Sequence, residues 1–130
     1  MTYPFVPESA ALYSADLVGR AAQNGEDLDY SRASIERVDE IIAGFRDSGT
    51  VEQDVANTLL SFGFYLGESV IAAAGGHWVT SVGTPMEQFA SFPLLVESGD
   101  GLNNPLGRPF KAFANGDSDS LISFYDEFTR

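Results

Sequence analysis

Apolar positions recur at helical spacing through much of the chain, and the longest such stretch is Val51–Gly76. At about 100° per residue it separates into two arcs. Val55, Ala56, Leu59, Leu60, Phe62, Gly63, Leu66, Gly67, Val70, Ile71, Ala73 and Ala74 make one side. Asp54, Asn57, Thr58, Ser61, Tyr65, Glu68 and Ser69 make the other. Thr50 and Gln53 have the spacing of a capping box, and Gly75-Gly76 supplies a stop. Gly63 and Gly67 fall inside the apolar arc, where a missing side chain lets another backbone come close. The spacing predicts a central core helix.

Two helices are predicted before it. Leu12, Ala15, Val18 and Ala22 give Pro7–Asn24 an apolar face ended by Gly25. Ser31 caps the second helix, Tyr30 is placed to staple onto Ile35, and Ile35, Val38, Ile42 and Phe45 form a stripe ended by Gly49. Only Thr50 separates this helix from the central one, so the two are expected to pack side by side and roughly antiparallel.

Beyond Gly76 the period drops to two. His77–Val82 alternates, Gly83-Thr84-Pro85 turns, and a second strand region lies within Met86–Glu97, strongest at Leu94-Leu95-Val96. Pro93 lacks an amide donor and marks a strand start or an edge. Gly99-Asp100-Gly101 ends that segment. Asn104-Pro105 is a helix start leading into Leu106, Phe110 and Phe113, with Asn115-Gly116 as its stop. Asp117 or Ser118 then caps a last helix carrying Leu121, Ile122, Tyr125 and Phe128. The order predicts a single α+β domain over residues 1–130. It has N-terminal helices with a long central helix, a small antiparallel sheet and short C-terminal helices.

Taken in order, Leu28-Asp29-Tyr30-Ser31, Tyr65-Leu66-Gly67-Glu68, Gly75-Gly76-His77-Trp78, Asn104-Pro105 and Asp119-Ser120-Leu121 resemble a family of small bacterial, mainly actinobacterial, domains of unknown function. The resemblance runs from roughly Leu28 to Tyr125. It implies an α+β bacterial domain, and because that family has no established activity it carries over no catalytic residue.

Charge narrows the choice of partner. Nineteen acidic residues stand against seven basic ones, a net charge of −12. The acids are scattered between apolar positions, as on a folded acidic surface rather than a disordered tail. Such a surface repels nucleic acid and anionic lipid and suits a basic protein, and it also serves solubility. The densest apolar run, Leu59–Gly75, is shorter than the ~20 residues of a membrane span and is interrupted by Glu68, so no span is expected. MTYPFVPESA has neither the charged nor the apolar region of a signal peptide, so a cytoplasmic location is expected by default. The chain has no cysteine, which removes disulfides, thiolate metal sites and a cysteine nucleophile.

Reaction chemistry finds few residues to use. A hydrolytic base would have to be His77, the one histidine, and Gly67-Glu68-Ser69-Val70-Ile71 lacks the second glycine of a nucleophile elbow. Asp117-Ser118-Asp119-Ser120 opens like a calcium loop, but Ile122 and Phe128 occupy the positions that need glycine and glutamate. Glu26, Asp27 and Asp29 read as a solvated linker. Arg108 and Lys111 could meet an anion at the start of the Asn104 helix or neutralise Glu97 or Asp100. No catalytic residue, metal ligand or cofactor is expected.

The functional expectation centres on Tyr65. It sits mid-arc on the polar side of the central helix, with Phe64 at the arc's edge and Glu68 one turn on. Covered by another helix, Tyr65 is core; left open, it is an aromatic anchor among acids. The sequence therefore points to a non-catalytic, immunity-like or regulatory module that binds a basic protein through Tyr65, Phe64 and Glu68. The alternative is a small-molecule site or an unrecognised enzyme, with a cleft near His77, Trp78, Arg108 and Lys111.

Overall fold

The computed structural model describes residues 3–99 and 101–130. After a 3-10 turn at Pro7–Ser9 come α1 (Ala10–Gln23), α2 (Arg32–Asp47) and α3 (Glu52–Ala74). A sheet of β1 (His77–Thr80), β2 (Leu94–Ser98) and β3 (Gly101–Asn103) follows, then α4 (Arg108–Asn115), a second 3-10 turn at Gly116–Asp119 and α5 (Leu121–Phe128). This is the α+β arrangement with a long central helix that the periodicity predicts.

α3 is enclosed rather than one-sided. Every residue from Ser61 to Gly67 is buried, because α1 and α4 pack extensively along it and α5 adds a third neighbour. A polar arc tolerates this where its members are short hydroxyls that bond back into their own helix. Ser61 Oγ donates to the Asn57 carbonyl at 3.0 Å and Ser69 Oγ to the Tyr65 carbonyl at 2.8 Å. By length and composition α3 could cross a membrane, yet most of its apolar stretch is buried inside the protein, as in the core helix of a soluble protein.

Its start differs from the expected capping box. Val51 is the N-cap residue and has no side-chain bond, while the Thr50 hydroxyl pairs with Ser48 Oγ at 2.8 Å. The stop is as expected, with Gly75 at φ 84°. The apolar arc seats another backbone at Gly63, where an added Cβ would lie 2.7 Å from Leu106 Cα. At Gly67 the neighbour is the Trp78 ring, a side chain rather than a backbone.

Two cores lie on opposite sides of α3. One gathers Leu17, Leu28, Ile35, Val38, Ile42, Leu59, Leu66, Leu121 and Phe124 from the helices. The other gathers Ala10, Phe64, Trp78, Leu94, Val96 and Leu106 beneath the sheet.

α1 is rotated from the face expected of it. Leu12 is 48% exposed, and the buried positions are Ala10, Ser14 and Leu17. Ser14 can be buried because its hydroxyl meets that of Tyr30 at 2.9 Å. α2 begins at Ser31, whose Oγ accepts from Ser34 N at 3.2 Å. Tyr30 packs against the core cluster that holds Ile35. It takes a positive φ of 66° and stacks on Tyr65. α2 also packs mainly against α5 and α4 and only lightly against α3, so the one-residue gap at Thr50 did not dictate the packing.

The sheet is antiparallel in the order β1-β2-β3, with His77 opposite Glu97 and Val96 opposite Asn103. β3 was not expected, and the predicted strand region from Met86 is turns until Pro93, whose carbonyl accepts from Ser81 N at 2.9 Å. Asp100, at the β2–β3 turn, lies outside the described residues. α4 starts at Arg108 with Pro109 in its first turn, because Asn104 instead closes a turn by accepting from Gly107 N at 3.4 Å.

α5 is capped by Ser120, since Asp117 and Ser118 are used inside the 3-10 turn. Its first amides have a second acceptor. The Asp39 carboxylate of α2 accepts from Leu121 N at 2.8 Å and Ile122 N at 2.9 Å. Burial raises the Asp39 pKa, against the pull of these two amides and with Asp117 adding repulsion. Asp39→Ala leaves both amides without this acceptor and is expected to cost about 1–3 kcal/mol in urea unfolding. A raised carboxyl pKa means that the folded state binds the proton more tightly. That stability is present below the unfolded value and lost as pH rises through the folded one. The stability difference between wild type and Asp39→Asn should therefore shift in favour of wild type on going from pH 7 to pH 4. A shift the other way contradicts the assignment.

Candidate functional site

The three residues expected to meet a partner all point inward or are engaged. Tyr65 is fully buried. Its hydroxyl accepts from Tyr30 N at 2.6 Å, lies 2.6 Å from Ser34 Oγ, and its ring stacks on Tyr30 with centroids 4.7 Å apart. Burial pushes its phenol above the ordinary tyrosine value, while the bonds to Ser34 and Tyr30 pull the other way. Phe64 is also fully buried, stacked on Tyr13 at 4.4 Å and tilted against Trp78 at 5.4 Å. Glu68 is half-buried and accepts from Trp78 Nε1 at 2.9 Å. These side chains hold α3 to α1, α2 and the sheet, so the anchor expected at Tyr65 is not available on this surface.

The alternative cleft is not assembled either. Trp78 is buried against Phe64 and Gly67. His77 is exposed at the start of β1, with Nε2 3.3 Å from Glu97 Oε1 across the ladder. Arg108 ties α4 to α5 instead. Its Nε donates to the Ser120 carbonyl at 3.1 Å, Nη2 to Ser123 Oγ at 2.9 Å, and its guanidinium lies 5.7 Å from the Phe124 ring centre. Its carboxylate neighbour is Asp119 at 3.9 Å, not Glu97. Among the described residues no group of three metal-binding side chains comes together, and Asp119 is bonded to Asn115 at 2.6 Å.

Lys111 lines a depression of about 480 Å³ shared with Glu52, Phe89, Phe92, Asn104, Phe110 and Asn115, and none of the other three lines it. Phe92 and Phe110 form its wall, with ring centres 5.5 Å apart. Phe89 stands at this depression 76% exposed, the most exposed large hydrophobic residue among those described. Nothing in the periodicity marks it, because it lies in the turns between Met86 and Ala90. The available signal was a bulky aromatic in a stretch of turn chemistry.

A second, larger depression of about 560 Å³ runs between α1 and α3. It is lined by Phe5, Tyr13, Asp16, Gly19, Arg20, Gln23, Asn57 and Ser61 among others. Asn103 is the buried side chain whose amide finds no partner among the described residues, and it lines neither depression. No family model, curated protein or solved structure matches the chain.

Proposed function

We propose that the protein is a non-catalytic binding module, immunity-like or regulatory in kind, that engages a basic protein through the aromatic depression at Phe89. The observation that carries this reading is Phe89 itself, a large ring 76% exposed beside the half-buried rings of Phe92 and Phe110. Leaving such a ring in water forfeits about 1.5–3 kcal/mol of burial, which a partner would recover. Aromatic residues in this setting dominate interface energies. The net charge of −12 supplies the sign of the partner: it would steer a basic protein towards the surface and repel an acidic one.

The division of labour is testable. Phe89→Ala is expected to weaken binding by about 2 kcal/mol or more while the melting temperature holds. Glu87→Lys should mainly slow association, and more so at low salt. The measurement is affinity capture from the native host, with Phe89→Asp as the comparison bait, followed by titration of the captured protein at two salt concentrations. Capture of the same proteins by both baits, or of an acidic protein alone, rules the reading out.

A further inference from the structure

We infer that the groove between α1 and α3 is a binding site for a small α-amino acid with an aromatic side chain. Arg20 holds the carboxylate and Asp16 the ammonium. This inference stands independently of the Phe89 surface.

It begins with a cation that has no counter-charge. Arg32, Arg37 and Arg108 each sit beside a carboxylate, at 2.7 Å, 2.5 Å and 3.9 Å. Arg20, like Arg46, Lys111 and Arg130, meets none within ion-pairing distance among the described residues, and it is the one of these that lines the cavity between α1 and α3. Its guanidinium makes only two long contacts, Nε to the Asp16 carbonyl and Nη2 to Ser61 Oγ, each at 3.4 Å. In a chain of nineteen acids this leaves a forked donor set, the geometry that fits a carboxylate, free on the wall of a cavity.

The nearest candidate partner is held elsewhere. Asp16 lies one helical turn before Arg20, where the two could pair. Its Oδ2 instead accepts from the Tyr3 hydroxyl at 2.7 Å, and Tyr13 in turn bonds the Tyr3 carbonyl. The groove thus presents a carboxylate and a guanidinium side by side and unjoined. A zwitterion answers both charges, whereas a phosphate would be repelled by Asp16 and by the net charge.

The remaining walls define the rest of the ligand. Phe5 and Tyr13 stack on each other at 6.0 Å and line the groove, a surface suited to an aromatic ring. Asn57 and Gln23 add amides. The volume of about 560 Å³ lies within the range of about 300–1,000 Å³ usual for small-molecule sites. Gly19 has open space where its Cβ would be, although glycine inside a helix costs about 1 kcal/mol relative to alanine. No protein atom requires the missing side chain at Gly19; a ligand lying along α1 between Asp16 and Arg20 would.

The probe is L-phenylalanine, titrated into the whole chain and followed by amide NMR shifts, with L-phenylalaninamide and N-acetyl-L-phenylalanine as comparisons. Saturable shifts confined to the groove are expected with L-phenylalanine and weaker binding with each comparison, which lacks one of the two charges. Arg20→Gln should weaken binding about tenfold or more, the scale of one charge-assisted hydrogen bond. Gly19→Leu should abolish binding while the melting temperature is kept or raised, since leucine favours the helix and its Cβ meets nothing within 4 Å. No saturable shift below about 10 mM overturns the proposal. So does equal binding of the amide, or binding indifferent to Arg20→Gln and Gly19→Leu.

Discussion

Gly63→Leu is expected to destabilise the protein by about 3 kcal/mol, the upper end of overpacking effects. A Cβ built on Gly63 would stand 2.7 Å from Leu106 Cα and 3.1 Å from the carbonyl oxygens of Leu106 and Pro105. All three are backbone atoms, so no rotamer change relieves the clash. The turn that leads into α4 would have to lift off α3, exposing Leu106 and loosening Phe64 in the core beneath the sheet. Gly63→Ala already places the offending atom and should lose about 1–2 kcal/mol. Gly19→Ala is the matched control: its Cβ meets nothing within 4 Å, so the substitution should be neutral or stabilising. Urea unfolding of the three variants separates steric from helix-propensity effects. A Gly63→Leu variant as stable as wild type would show that the Pro105–Leu106 backbone does not rest on α3.

The close approach at Gly63 was legible because it depends on one helix's own pattern: small residues inside an apolar arc. Properties that depend on what covers an element were not. A wheel places Tyr65 among Ser61 and Glu68, but whether that arc meets water is decided by α1 and by Tyr30, far away in sequence. The same limit applies to the packing of α2, which favours α5 and α4 over its sequence neighbour. β3 escaped notice for another reason. Three residues, Gly101–Asn103, are too few to show alternation, and their pairing follows from the turn after β2.

The candidate surfaces divide along the same line. Lys111 was singled out and does line a depression, but beside Phe89 and not beside His77, Trp78 or Arg108. Arg20 and Phe89 carry no motif. Each becomes informative only when its surroundings are known: a cation without a carboxylate on the wall of a cavity, and a ring without a cover. Composition hinted at the first, because an arginine among so many acids would be expected to find a partner.

Tyr65→Ala is expected to cost about 3–5 kcal/mol, the range for removing a large buried aromatic. The ring is fully buried and stacks on Tyr30 at 4.7 Å with 22° between planes, so its loss opens a cavity between α2 and α3 and leaves Tyr30 unsupported. The hydroxyl adds a separable part. It accepts from Tyr30 N at 2.6 Å and lies 2.6 Å from Ser34 Oγ, one turn inside α2. Tyr30 is the one non-glycine residue among those described with a positive φ, and its amide has no other acceptor in the local turn. Tyr65→Phe keeps the ring but strands that amide, and should cost about 1–3 kcal/mol. Ser34→Ala removes only the second contact, and Ser34 Oγ also bonds the Ser31 carbonyl at 2.7 Å, so its effect should be smaller. In a double-mutant cycle the Tyr65→Phe and Ser34→Ala losses should couple, since both remove the same bond. Phenol absorbance should show two tyrosines ionising above the ordinary value in wild type, Tyr3 through its bond to Asp16 and Tyr65 through burial, and only the first of them in Tyr65→Phe. If Tyr65→Phe is as stable as wild type and the cycle shows no coupling, the hydroxyl does not fix the start of α2, and Tyr65 contributes through its ring alone.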